Sequence, residues 1–289
     1  MFKNATIYRA TFPADHLHDP VLPDFIPCGQ TQEKSFGWVP PRGQEHGALM
    51  EIVAGQSILK FVTETKAVPA DVIARKSHEL AQKYEDETGH KPGKKMRAEF
   101  KEEVKLTLLP HAFAKRTATL VWISPEGFVT IDTASQGKAD DAITALVSAY
   151  EGLQISRLHT SQSPTSSMAQ WLVEQEAPSG FTVDRECELK AVDDSKAVVK
   201  YGHHALDIDE VKAHVMQGKV PTKLALTFGD RVSFVLTDNL LLKKLTFLES
   251  TAVLYDKEDA FDADVTLLAG ELIPLITGLL EALGGEVTA

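Results

Sequence analysis

The sequence predicts an α+β fold: antiparallel sheets, segregated helices, and an inserted helical hairpin between β segments. Three observations carry this expectation. β-branched and aromatic runs are joined by short turn dipeptides, Pro125-Glu126, Gly229-Asp230 and Asp238-Asn239, which is the patterning of hairpins. Met96, Phe100, Val104 and Leu108 recur at every fourth position, which lays an apolar stripe along one helix. The helical and β patterns also fall into separate blocks along the chain.

The elements follow in order. Residues 2–9 alternate loosely and read as a strand. A proline-rich loop with Pro13, Pro20, Pro23 and Pro27 comes next. The stretch from Phe36 to Pro41 is extended or turn, because a residue before proline is pushed out of the helical region. Residues 57–63 read as a strand. A helix can begin at Pro69, with Val72, Ile73, Leu80 and Tyr84 near one face. Gly89 and Pro92-Gly93 break it. A second helix starts near Lys94 and ends at Pro110. Residues 117–124 and 127–132 are strands about Pro125-Glu126, and 139–150 form an amphipathic helix. The polar stretch 161–167, with Pro164, reads as a linker. Asp207-Ile208-Asp209-Glu210 has the spacing of a capping box for a helix that ends at Gly218. Strands follow at 222–228, 231–237 and 240–247. A last helix carries Leu272, Ile276, Leu279, Leu280 and Leu283, stops at Gly284-Gly285, and takes Pro274 early, where proline costs least.

Composition narrows the class. A chain of 289 residues with 43% hydrophobic and 25% charged residues is of ordinary globular make-up, with room for one large core or a few small ones. No run of ~18 apolar residues is evident, so no membrane span is expected. The first residues lack a charged-then-apolar leader pattern, and Cys28 and Cys187 fit no metal or redox spacing. The expectation is a cytoplasmic protein with two reduced thiols.

Net charge is −11, which by itself disfavours nucleic acid. Screening over ~8 Å makes local charge the better guide. Between His90 and Arg116 there are eight Lys and Arg against three Glu, whereas from Ser250 to Ala289 there are eight Asp and Glu against one Lys. At about 100° per residue, Arg97, Lys101 and Lys105 flank one edge of the apolar stripe, and Glu99, Glu102 and Glu103 the other. Lys91, Lys94 and Lys95 crowd the helix start, where the macrodipole disfavours cations unless an external anion is present. Lys115 and Arg116 follow. Such a row on a rigid helix can neutralise successive phosphates and release their counterions. It carries no recognition-helix signature, so binding would be largely independent of sequence. A solvated charged face gives the same pattern, and charge alone leaves both readings open.

An enzyme finds less support. The pairs His16/His18 and His203-His204 have no Cys or carboxylate at metal spacing, and HExxH, GxSxG and P-loop motifs are absent. Asp140-Asp141 and Asp193-Asp194 lie in polar stretches. No cofactor and no metal are expected. Phe113, just after Pro110, has two readings: local packing, or an anchor for a subunit contact.

The chain resembles the RdgC family along its length. The resemblance rests on Phe2-Lys3-Asn4 through Tyr8-Arg9, Phe25-Ile26-Pro27-Cys28-Gly29, Gly37-Trp38-Val39-Pro40-Pro41 and Leu108-Leu109-Pro110-His111-Ala112-Phe113. It continues in Thr222-Lys223-Leu224-Ala225-Leu226, Phe261-Asp262-Ala263-Asp264, Gly270-Glu271-Leu272 and Leu283-Gly284-Gly285-Glu286. It implies a non-enzymatic, nucleoid-associated protein that binds double-stranded DNA without marked sequence preference and restrains RecA-dependent recombination; the negative charge and the amphipathic C-terminal helix equally suit an interaction protein acting directly on the recombinase or another protein partner. The implied assembly is a curved subunit in a ring-shaped homodimer, closed by two isologous contacts around a basic hole. The implied division is a central α+β domain (1–68 with 117–160), a helical tip (69–116) and an α+β base (165–289). Phe113 takes the place of the family's tip phenylalanine, a dimer contact. The implied DNA-binding set is Lys91, Lys94, Lys95, Arg97, Lys101, Lys105, Lys115 and Arg116, joined by His203 and His204. The chain departs from the family pattern at His111, where arginine is common, and at His203-His204, where polar or basic residues are expected; both reduce fixed positive charge near pH 7.

Overall fold

A computed structural model describes residues 1–13, 20–193, 195–248 and 260–287. His16 and His18, and Asp194 of the Asp193-Asp194 pair, lie outside the described residues. The fold is α+β with antiparallel sheets and six α-helices among the described residues. The strands are β1 (Thr6–Thr11), β2 (Lys34–Val39), β3 (Met50–Val53), β4 (Gln56–Lys66), β5 (Ala114–Ile123), β6 (Phe128–Ile131), β7 (Gln154–Arg157), β8 (Phe181–Ala191), β9 (Val198–Gly202), β10 (Lys219–Phe228), β11 (Val232–Thr237) and β12 (Leu242–Phe247). The helices are α1 (Ala70–Thr88), α2 (Lys94–Leu108), α3 (Gln136–Ala149), α4 (Pro164–Glu174), α5 (Asp209–Met216) and α6 (Ala260–Ala282). One sheet has the order β2-β4-β5-β6-β1-β7, with β3 also on β4; the other has the order β12-β11-β10-β8-β9.

Two compact units emerge. The first comprises Met1–Val21, Pro40–Leu59 and Thr119–Ala289; the second, Leu22–Val39 and Lys60–Ala118. Their charges differ in sign. The second unit has 14 Lys and Arg against 11 Asp and Glu, net +3, whereas the first has 16 against 30, net −14.

In the first unit, one face of the five-stranded sheet packs on helices. Leu189, Leu224, Leu226, Phe234 and Leu236 lie in a core with Met168 and Leu172 of α4, Val211 of α5, and Leu272, Leu275 and Ile276 of α6. The side chains of a strand alternate between faces, so Lys223, Ala225 and Val235 lie on the opposite face, where apolar and charged residues mix. Helix α6 is long and apolar enough to cross a membrane by length and composition, which corrects the expectation that no run was. Its apolar side chains are instead buried in this core. Gly278 lets α6 approach closely, because a Cβ there would lie 3.2 Å from the Phe228 ring.

Three local expectations fail. The stretch 161–167 is not a linker: Ser163 caps α4 by accepting from the Ser166 N–H, and Pro164 takes the first helical position, where its missing N–H costs nothing. Among the described residues no side chain caps α5, whose N-cap is Ile208; the acidic pair Asp209-Glu210 occupies the first turn, where the macrodipole favours it. Pro274 lies well inside α6 rather than early.

In the second unit, β2 pairs with β4 from Lys34↔Thr65 to Val39↔Lys60. Phe61 packs on Trp38 and Phe36, with ring centroids 5.1 and 5.9 Å apart. The preceding segment crosses β2 closely: the Phe25 N–H donates to the Trp38 carbonyl at 2.9 Å. Only glycine fits at position 37, since a Cβ would meet the Phe25 backbone at 2.5 Å.

Candidate nucleic-acid interface

Helix α2 follows α1 in the second unit. Gly89, with φ 70°, ends α1 in the left-handed conformation that glycine tolerates. Val104 is buried, and Met96, Phe100 and Leu108 are half-buried. The predicted stripe is therefore the packing face, and Phe100 meets Tyr84 of α1 at 6.1 Å between ring centroids. The first turn of α2 has no acidic residue, so Lys94, Lys95 and Arg97 stand at the positive end of the helix without a compensating carboxylate there.

The basic residues divide by partner. Lys94, Lys95 and Lys101 are exposed and form no ion pair among the described residues. Arg97 is exposed and donates Nε to the Pro92 carbonyl at 3.1 Å, which orients its guanidinium without neutralising it. Lys91 lies 4.0 Å from Glu85. Lys105 is bound to Glu33, whose hydrogen bond holds the ammonium pKa above its ordinary value. Arg116 donates Nε and a terminal N–H to one oxygen of Glu64, at 3.1 and 2.9 Å, and lies over the Phe25 ring. The Cys28 N–H and then Arg116 hold the Glu64 carboxyl below the usual carboxylate range. Lys115 is exposed. By helical spacing, Lys94, Arg97 and Lys101 fall within about 60° of one another, while Lys95 lies about 120° from Lys101, toward the glutamates.

Phe113 sits between the 3-10 turn Leu109–His111 and the start of β5, and it is 96% exposed. That removes the local-packing reading, since a side chain so exposed supports no core. His203 and His204 belong to the other compact unit. Both are exposed; His203 has φ 55°, and His204 Nδ1 lies 2.7 Å from the Ala205 carbonyl.

Other chemistry is sparse. Among the described residues, no group of three or more His, Cys, Asp or Glu could hold a metal ion. Burial pushes the Cys187 thiol up to about 12, and burial and then Glu64 raise that of Cys28, so neither is an activated nucleophile. A second group of cations was missed in the sequence: Lys200, Lys223, Lys243 and Lys244 line an open depression on the face of the five-stranded sheet opposite the core. They are scattered over 45 positions of the chain and show no periodicity.

The comparisons with known proteins agree over the whole chain. Residues 1–286 match the family model described as "Putative exonuclease, RdgC". The chain is 41% identical to the recombination-associated protein RdgC of Janthinobacterium sp. (strain Marseille), covering 99% of this chain and 98% of that one. It is 40% identical to its counterpart in Cupriavidus necator and 38% to that in Bordetella pertussis, at the same coverage. These relatives define a class, the recombination-associated proteins. The chain belongs to the RdgC family. The family description speaks of an exonuclease and the relatives' names of recombination.

Proposed function

We propose that this protein binds double-stranded DNA through phosphate contacts, without sequence preference and without cutting it, and thereby restrains RecA-dependent recombination. The observation that carries the reading is the edge of α2, where Lys94, Arg97 and Lys101 are exposed with no carboxylate partner among the described residues, on a unit of net positive charge. Free cations about one helical turn apart suit successive phosphates, and the gain is release of condensed counterions. Lys91, Lys95, Lys115, Lys105 and Arg116 surround that edge, the last two with charge already compensated by Glu33 and Glu64. His203 and His204 add charge when protonated. The protein acts as a homodimer in which the 69–116 tip and the 165–289 base supply the two contacts of a closed ring, with Phe113 anchoring the tip contact. A phenylalanine as exposed as Phe113 is suited to a pocket on a second subunit. In this reading the protein is cytoplasmic and nucleoid-associated.

Titration of end-labelled duplex with the purified protein alone tests it. Expected is binding of unrelated sequences with equal affinity, a steep salt dependence, and full-length duplex after incubation with Mg²⁺. Absence of binding at low salt would overturn the reading, and shortening of the strands would establish an exonuclease instead.

A further inference from the structure

The face of the five-stranded sheet opposite the core gathers lysines from three strands around two glutamates. Lys223 of β10 and Lys200 of β9 converge on Glu188 of β8, at 2.8 and 3.2 Å, and Thr222 donates to the same carboxylate at 2.9 Å. Beside them, Lys244 donates to both oxygens of Glu186 at 2.7 Å. Lys243 has no ion-pair partner among the described residues. The four lysines and two glutamates line one open depression of about 460 Å³.

Two consecutive lysines on one face break strand alternation, and the backbone shows how. The β11–β12 register slips between Ser233↔Thr246 and Val235↔Lys243, so one residue of β11 faces two of β12. Lys244 sits in that bulge with φ 54°, a left-handed conformation that costs a non-glycine residue roughly 1 kcal/mol or more. A bulge of this kind re-aims a side chain, and here it brings Lys244 beside Lys243. A purely structural bulge would favour glycine.

We propose that this face is a second contact surface for the phosphate backbone of duplex DNA, and that Glu186 and Glu188 damp it by neutralising its lysines until phosphates displace them. The proposal rests on the DNA-binding reading above. Charge complementarity fixes the occupant: four lysines and two glutamates leave a net positive charge on an open depression, lined also by Tyr201 and Val235, that a rod-like polyanion can reach. Glu188 is held down to about 2, first by the Lys223 hydrogen bond, so it remains a competing anion at every physiological pH. Binding then costs the rupture of these pairs, which holds the affinity of this face low and leaves it to the helical edge to bind first.

The test compares duplex titrations at several salt concentrations for the wild-type chain and four variants. Glu188→Gln keeps an oxygen to accept from Lys223 and Thr222 but removes the charge. It should bind about threefold or more tightly, with a salt slope steeper by up to ~0.9 for each lysine released. Lys243→Gln should bind more weakly with a shallower slope. Lys244→Gly should melt at or above the wild-type temperature while binding more weakly, an opposition that a purely structural role does not produce. Replacing Lys94, Arg97 and Lys101 by alanine reports on the helical edge. If wild type binds duplex and the helix variant weakens it, while Glu188→Gln, Lys243→Gln and Lys244→Gly leave affinity and slope unchanged, the sheet-face proposal is overturned and the function stands. If neither wild type nor Glu188→Gln binds duplex, both fall. Should Glu188→Gln not fold, amine-reactive labelling of the wild type decides the matter: Lys223, Lys243 and Lys244 should be protected by duplex, and equal labelling with and without DNA would sink the proposal.

Discussion

The α2 edge and the open face of the five-stranded sheet carry similar numbers of cations and use them differently. On α2, Lys94 and Lys101 are exposed without a carboxylate partner among the described residues, and Arg97 is merely oriented by a carbonyl. On the sheet, Lys200, Lys223 and Lys244 are each bound to a glutamate. A free cation is available to an external phosphate at once, whereas a paired one must first exchange partners. Counting lysines therefore overstates a binding surface unless each is assigned a partner. The same distinction divides the proposed DNA-binding set, since Lys105 and Arg116 are paired while Lys94, Arg97 and Lys101 are not.

The comparison can be broken first on stability. If paired cations hold the fold and free ones do not, Arg231→Ala should be the costliest of the single changes considered. It would strand the Glu271 carboxylate, which is 6% exposed and held by Arg231, at a cost of roughly 2–3 kcal/mol. Lys101→Ala, by contrast, should stay within ~0.5 kcal/mol of wild type. Urea unfolding of the two variants measures both, and equal stabilities would remove the distinction.

Acid sharpens it next. The Glu188 carboxyl is depressed in the folded protein to about 2, chiefly by Lys223. Its stabilisation is therefore complete above the ordinary carboxylate value near 4.5 and is lost as pH falls from there toward 2. The shift corresponds to about 3 kcal/mol at most, and the exposure of Lys200 reduces the expected value to ~1–2 kcal/mol. Glu188→Gln should thus be less stable than wild type at pH 6, with the deficit much reduced at pH 2.5. A constant difference between the two pH values would mean that the ion pair contributes nothing.

Phe113→Ala should have the smallest effect on the fold. At 96% exposure the ring supports no core, and the change should stay within ~0.5 kcal/mol of wild type. Self-association and salt-resistant retention on plasmid DNA should nevertheless fall, as sedimentation and salt-chase measurements would show. Unchanged sedimentation and retention would mean that Phe113 is not the subunit anchor.

How much of this was legible in the sequence depends on how local the determinant is. The stripe from Met96 to Leu108 and its basic edge follow from helical spacing alone, and the structure keeps both. The strands on either side of Pro125-Glu126 and Gly229-Asp230 were visible because turn and alternation sit next to each other in the chain. Helix α4 was not: its polar opening around Pro164 reads as a linker, and only the Ser163 cap and the burial of Met168 and Trp171 make it a helix. Strand β8 was equally hidden, since its charged stretch Asp184-Arg185-Glu186 looks like loop until β9 and β10 pair with it. The sheet-face lysines were illegible for the same reason. Glu188 meets Lys223 only through a register that joins residues 35 positions apart, and Lys244 is placed beside Lys243 by a bulge that no periodicity announces. Phe113 was visible as a residue of interest, but its exposure is a tertiary fact.

The most direct measurement of the central claim is the salt dependence of duplex binding for the variant with Lys94, Arg97 and Lys101 replaced by alanine. Three lost phosphate contacts should lower affinity about tenfold or more at low salt and flatten the slope of log K against log salt by about 0.9 per contact, equally for unrelated sequences. A variant that folds as wild type does, and binds with the wild-type affinity and slope, would contradict the assignment of duplex binding to the edge of α2.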